Sequence, residues 1–222
     1  EISHAVRAVR QLNDEKILAT LDVLGEDIHH RDEATAAQTT IMDVLQSIDR
    51  ERLDSNVSVK LTQLGLKLDR QFCLENIHGI VARARELNNF IRIDMEDSTC
   101  TDDTIWIYRE LRKEFSNVGI VLQAYLKRTL NDAEAMLRDG LANFRLCKGI
   151  YIEPEEIAFK TKEGINDNYR LVLEQMLRKK AYVGIATHDG ELIDAAGAMI
   201  RTMKLGTTQY EFQMLLGVRP EL

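Results

Sequence analysis

Seven short β-prone runs alternate with helix-patterned stretches along this 222-residue chain, and that alternation restricts its fold more than any other feature. The runs are Thr20–Leu24, Val57–Leu61, Phe90–Met95, Val118–Tyr125, Asn143–Ile150, Tyr182–Ala186 and Tyr210–Leu215. Several are nearly continuous apolar sequences, as expected of strands covered on both faces. Successive runs lie roughly 25–40 residues apart, which leaves room for the crossover helix that parallel neighbours need.

The stretches between them carry helical periodicity. Ala5, Val6, Val9 and Leu12 share one helical face. Ala34, Ala37, Ile41, Val44, Leu45 and Ile48 form a stripe behind a cap expected at Asp32, and Phe72, Ile77, Ile80, Val81, Ala84 and Leu87 repeat it. Thr101 is expected to cap a helix that buries Ile105, Tyr108, Leu111 and Phe115, with Asp102 and Asp103 in its first turn. Asn131 with Glu134 reads as a capping box, and Gly140 as that helix's stop. Asn166–Lys180 and Glu191–Leu205 read as longer helices, the second stopped at Gly206. Seven βα units are one fewer than a closed barrel needs. The first turn, Leu24-Gly25-Glu26-Asp27, lacks the glycine-rich pattern of a doubly wound sheet, and no GxGxxG occurs. The expectation is therefore one domain over residues 1–222, a (β/α) barrel without its last strand, with the open sheet as second choice.

Composition excludes several classes of function. A net charge of -7 with no Lys/Arg-rich run opposes binding to a nucleic-acid backbone. Cys73, Cys100 and Cys147 have no CxxC spacing and read as reduced thiols. No stretch approaches the roughly 18 apolar residues that span a bilayer, and Glu1–Arg10 has no signal-peptide pattern. His29 and His30 read as surface residues, and neither HExxH nor GxSxG occurs. Asp189-Gly190 reads as a turn.

Barrel enzymes place their chemistry at the carboxyl ends of the strands. The polar residues there are Glu26 after the first run, Lys60 and Thr62 at the second, and Asp94, Glu96 and Asp97 at the third. Gln123 follows in the fourth, Arg145 and Lys148 in the fifth, Thr187-His188-Asp189 after the sixth, and Glu211 and Gln213 in the seventh. Charges that interrupt apolar runs are costly unless paired or turned towards a ligand. Lys60, Arg145 and Lys148 leave an expected excess of positive charge after Asp94 pairs with one of them, which would suit a phosphate, a carboxylate or a reduced flavin ring.

The motifs Thr20-Leu-Asp-Val-Leu-Gly-Glu26, Val57-Ser-Val-Lys-Leu61, Ile91-Arg-Ile-Asp94, Leu122-Gln-Ala-Tyr125, Arg145-Leu-Cys-Lys-Gly-Ile-Tyr151, Ala186-Thr-His188 and Tyr210-Glu-Phe-Gln-Met-Leu215 fall in register on successive runs. In that order they resemble the proline dehydrogenase family, in its short monofunctional bacterial form. The resemblance implies a distorted (β/α)8 TIM barrel, truncated at both ends, whose final strand and helix with its paired arginines would follow Arg219-Pro-Glu-Leu222. It implies an FAD-dependent oxidation of L-proline to Δ1-pyrroline-5-carboxylate by hydride transfer to flavin N5, with electrons passed to a membrane quinone. By the same resemblance Arg145 would contact flavin N5, and Gln123 the ring region. Met95, Cys147, Lys148 and Gly149 would line the cofactor, Thr187 and His188 would hold it farther along, and Glu211 and Gln213 would support it. Lys60 would bind the proline carboxylate and pair with Asp94, and Tyr151 would approach the substrate ring. A cytoplasmic enzyme with a peripheral membrane contact is implied, its product passing to a separate pyrroline-5-carboxylate dehydrogenase. Two rival readings remain: a Schiff-base lyase using Lys60 or Lys148, and a non-catalytic barrel with a ring of structural ion pairs.

Overall fold

The structure, a computed structural model, describes residues 2–25 and 27–219. Glu26, expected at the end of the first strand, and Pro220-Glu221-Leu222 of the expected chain end lie outside the described residues. The chain divides into two compact units, residues 1–119 and 120–222, which are taken in turn.

The first unit holds α1 (Ile2–Asp14), β1 (Ala19–Asp22), α2 (Arg31–Glu51), β2 (Ser55–Val59), α3 (Arg70–Glu86), β3 (Ile91–Ile93) and α4 (Thr101–Arg112). Its strands are parallel, with Asp22 opposite Ser58 and Val57 opposite Ile91. The expected stripes meet them: Ile41, Leu45, Ile77, Ile80 and Val81 are buried with Val57, Val59, Ile91 and Ile93. Two helix starts differ from expectation. His30, not Asp32, is the N-cap of α2. The Glu33 carboxylate reaches back to accept the His29 and His30 N–H groups at 2.8 and 2.9 Å, so the helix opens earlier. Thr101 is the first residue of α4 and not its cap. A 3-10 turn (Ser98–Cys100) precedes it, and the Asp97 carboxylate accepts from the Thr99 N–H at 2.9 Å.

The second unit holds β4 (Val118–Gln123, which begins at the boundary), α5 (Thr129–Arg138), β5 (Asn143–Cys147), α6 (Lys162–Arg178), β6 (Tyr182–Ala186), α7 (Gly190–Met203) and β7 (Tyr210–Gln213). Its ladders are parallel too, pairing Ile120 with Phe144, Asn143 with Tyr182 and Val183 with Tyr210. Phe144, Leu146, Val183 and Ile185 are buried with Tyr169, Leu173 and Met176 of α6. The Tyr169 hydroxyl donates to the Leu146 carbonyl at 2.9 Å, which satisfies the one polar atom of a buried ring. Gly140 takes the expected left-handed conformation after α5, at φ 75°. Asn131 and Glu134 lie inside α5 and form no capping box at its start. There the Thr129 hydroxyl instead bonds the Gln123 carbonyl. Helix α6 starts at Lys162, behind a Thr161 cap that accepts from the Gly164 N–H. Helix α7 ends before Gly206, because Lys204 itself turns left-handed at φ 53°. Asp189 is the N-cap of α7, which corrects the reading of Asp189-Gly190 as a mere turn.

All seven expected runs thus form strands, and helices alternate with them in both units. Among the described residues no helix is long and apolar enough to cross a membrane.

Candidate functional site

In the first unit the strand ends gather carboxylates around two lysines. Asp22 closes β1, and Lys60 and Asp94 directly follow β2 and β3. Parallel register puts these three at one edge, because Asp22 lies opposite Ser58 and Val59 opposite Ile93. Lys60 Nζ stands 2.8 Å from Asp22 Oδ2 and 3.9 Å from Asp94 Oδ2. The expected pairing with Asp94 is the looser of the two, and the close partner is Asp22. Met95 and Glu96 are buried beyond Asp94. Glu96 accepts from the Thr62 N–H at 3.0 Å and from its hydroxyl, which fixes the turn after β2. Lys67 bridges Asp27 at 2.6 Å and Asp97 at 3.0 Å. The bond it donates to Asp27, and then the one it donates to Asp97, hold its ammonium well above the ordinary lysine range.

In the second unit the strand ends are richer in donors. Arg145, half-buried on β5, lies opposite Gly184 of β6, which lies opposite Glu211 of β7. The Arg145 guanidinium donates to Gln213 Oε1, and Gln213 Nε2 donates to Glu211. Gly184 makes room for this chain of bonds, since a Cβ there would lie 2.9 Å from the Gln213 amide. Lys148 Nζ stands 2.6 Å from Asp189 Oδ2. That bond to Lys148, followed by one from Asn166, holds the Asp189 carboxyl down to about 2 against the cost of burial. Gln123 and Thr187 are buried, and Cys147 and Tyr151 half-buried, at the ends of their strands or just beyond. Gly149 adopts φ 104°, where a Cβ would sit 2.0 Å from the Tyr125 ring. Only glycine lets the chain leave β5 at that point.

His188 has two distinct ring nitrogens. Nε2 accepts the Leu215 N–H at 3.0 Å, which assigns the ring proton of the neutral imidazole to Nδ1. Nδ1 is buried and has no partner among the described residues. A buried donor in that condition suits an acceptor on a ligand.

The structure therefore brings Lys60 and Asp94 together in one unit. In the other it joins Arg145, Gln213 and Glu211, and places Lys148 beside the Thr187–His188 segment. Three features were not anticipated: Asp22 as a contributor, the pairing of the expected strand-end residue Asp189 with Lys148, and Gly184. A glycine inside a β-prone run was the available signal for the third. The expected excess of positive charge is corrected, because Asp22 and Asp189 each meet a lysine at ion-pair distance. Those pairs also weaken the Schiff-base reading, since an imine-forming lysine is activated by apolar desolvation or a neighbouring cation. Among the described residues no group of three or more His, Cys, Asp or Glu is placed to hold a metal, and Cys73, Cys100 and Cys147 form no disulfide. Burial pushes the Cys100 thiol up to about 11.

Residues 5–222 match the family described as proline dehydrogenase. Proline dehydrogenase 1 of Bacillus subtilis (strain 168) is 36% identical over 220 residues, covering 99% of this chain and 72% of that protein. The proline dehydrogenase of Deinococcus radiodurans is 36% identical over 226 residues, covering 100% and 73%. Among solved structures, proline utilization A from Bdellovibrio bacteriovorus inactivated by N-propargylglycine matches 97% of this chain with a TM-score of 0.88 at 21% identity. This chain spans only 27% of that one, and the likeness carries the fold alone. It bears out the expected distorted (β/α)8 barrel lacking a unit, in place of the open doubly wound sheet.

Proposed function

The chain belongs to the proline dehydrogenase family, and from that premise we propose that it oxidises L-proline to Δ1-pyrroline-5-carboxylate with FAD as cofactor and a quinone as electron acceptor. The observation that carries the cofactor is the donor set at the ends of β5, β6 and β7. Arg145, Lys148 and the buried Nδ1–H of His188 suit a ligand rich in carbonyl and phosphate oxygens. When bound, FAD supplies a two-electron acceptor for the hydride from proline C5.

The protein's part is positioning and electrostatics. Arg145 is a fixed cation aimed by Gln213, which Glu211 orients in turn; held so, it stabilises negative charge that develops beside it. Lys148 adds a second cation. Thr187 and His188 hold the more remote part of the cofactor, and Gln123, Cys147 and Gly149 line it. Lys60 binds the substrate carboxylate. Asp22 and Asp94 keep its ammonium in place, so less freedom is lost when proline arrives. Tyr151 approaches the substrate ring. Electrons leave to a quinone during a peripheral contact of a cytoplasmic protein with the membrane, and a separate dehydrogenase takes the pyrroline product.

A visible absorption spectrum tests the whole reading. The purified protein is expected to show flavin bands that bleach when proline is added without air. A colourless protein that stays colourless after incubation with FAD would overturn it.

A further inference from the structure

The Asp189 carboxylate is held from several sides. Its Oδ1 accepts the Glu191 N–H at 3.1 Å and so caps α7. Its Oδ2 takes Lys148 Nζ at 2.6 Å and the Asn166 side-chain amide at 3.2 Å. Its own backbone N–H donates to Thr187 Oγ1 at 3.1 Å. The Asp189 side chain is 11% exposed, and Asn166, which also reaches Glu191 at 3.4 Å, is 2% exposed. Lys162 approaches the same oxygen only at 3.7 Å, from an exposed position. With one oxygen tied to a helix start and the other to α6, the carboxylate cannot turn without breaking a bond.

That matters because of what it grips. A lysine ammonium rides on a flexible stem and is hard to hold at one point without a fixed partner. Lys148 leaves the end of β5, and Thr187 and His188 follow the end of β6. Asp189 is bonded to the first and contiguous with the second. The ammonium has three N–H donors, and a single carboxylate oxygen leaves others for a ligand.

We propose that Asp189 is the positioning residue that locks the Lys148 ammonium at a set distance from the Thr187–His188 segment, so that one carboxylate spaces two of the groups that bind the flavin. Asn166 aims that carboxylate. The inference rests on the flavin reading above and adds a residue which that reading does not use.

Substitution can separate the charge from the cap, because asparagine caps helices about as well as aspartate does. The measurement is the affinity for FAD, followed by flavin fluorescence on adding FAD to apoprotein, for the wild type, Asp189→Asn, Lys148→Met and the double variant. Asp189→Asn is expected to weaken FAD binding on the order of tenfold, the size of one charge-assisted bond. Its apoprotein should unfold within a few degrees of the wild type, since the cap survives. In the Lys148→Met background the same change should cost almost nothing, because its effect runs through Lys148. Equal FAD affinity in wild type and Asp189→Asn would overturn the proposal. So would an equal loss with and without Lys148, or a Lys148→Met variant that binds FAD normally. A wild type that binds no FAD would instead remove the functional reading, and this inference with it.

Discussion

The strand ends of residues 1–119 and of residues 120–222 present contrasting chemistry. In the first, Lys60 and Lys67 stand among Asp22, Asp27, Asp94 and Asp97, with Glu96 buried nearby. In the second, Arg145, Lys148, His188 and Gln213 are donors, facing Asp189 and Glu211. A small zwitterion suits the first set, with its carboxylate on Lys60 and its ammonium among acidic groups. An electron-rich, oxygen-bearing ring and its phosphates suit the second. The lesson is that the same residue type, a lysine just past a strand, is held in two ways. Lys60 is gripped by carboxylates at neighbouring strand ends, and Lys148 by a carboxylate that also starts a helix.

The largest test of this contrast is Arg145→Met. Loss of a preorganised charge-stabilising donor should lower turnover of proline with a dye acceptor by about 10²–10³-fold. A loss below tenfold would mean that the second donor set does not act on the reaction. Next comes Lys60→Met, which removes a charge-assisted contact and should raise the KM for proline by about 10- to 100-fold. FAD affinity should not change, and Asp22→Asn should give a smaller rise in the same direction. If Lys60→Met lost flavin instead, the division of labour would be wrong.

Gly149→Ala has no counterpart among the first unit's site residues. It forces a Cβ into the Tyr125 ring at a backbone angle that only glycine holds easily, and should cost about 1–3 kcal/mol in urea unfolding. A neutral result would show that the chain can leave β5 by another path. The smallest effect is a dependence on pH. The Asp189 carboxyl, held at about 2 chiefly by Lys148, lies below its unfolded value near 4. Its contribution to stability is therefore present above about pH 4 and lost as pH falls through about 2. The stability gap between the wild type and Asp189→Asn should be flat from pH 7 to 5 and close below that. A gap that grew on acidification would contradict the pairing.

Much of this was legible beforehand. Apolar runs with helical stretches between them marked all seven strands, because backbone pairing and burial leave a local imprint on composition. Lys60, Arg145 and Lys148 stood out because each interrupts such a run. Helix starts were legible only to within a few residues. Asp32 and Thr101 are acceptable caps in isolation, but the Glu33 carboxylate takes the His29 and His30 N–H groups and the Asp97 carboxylate takes that of Thr99, so each helical segment opens earlier. Asp189 looked like part of a turn because its capping bond and its lysine are both invisible in a dipeptide.

From its sequence alone, then, this protein's alternating βα plan and the charged residues at its strand ends were settled, since both follow from patterns a few residues long. Tertiary structure alone decided who partners whom: Asp22 with Lys60 across 38 positions, Asp189 with Lys148 across 41, and Gln213 with Arg145 across 68. Periodicity carries information over a turn or a strand. A carboxylate finds its cation through the register of parallel strands, and that register exists only once the chain has folded.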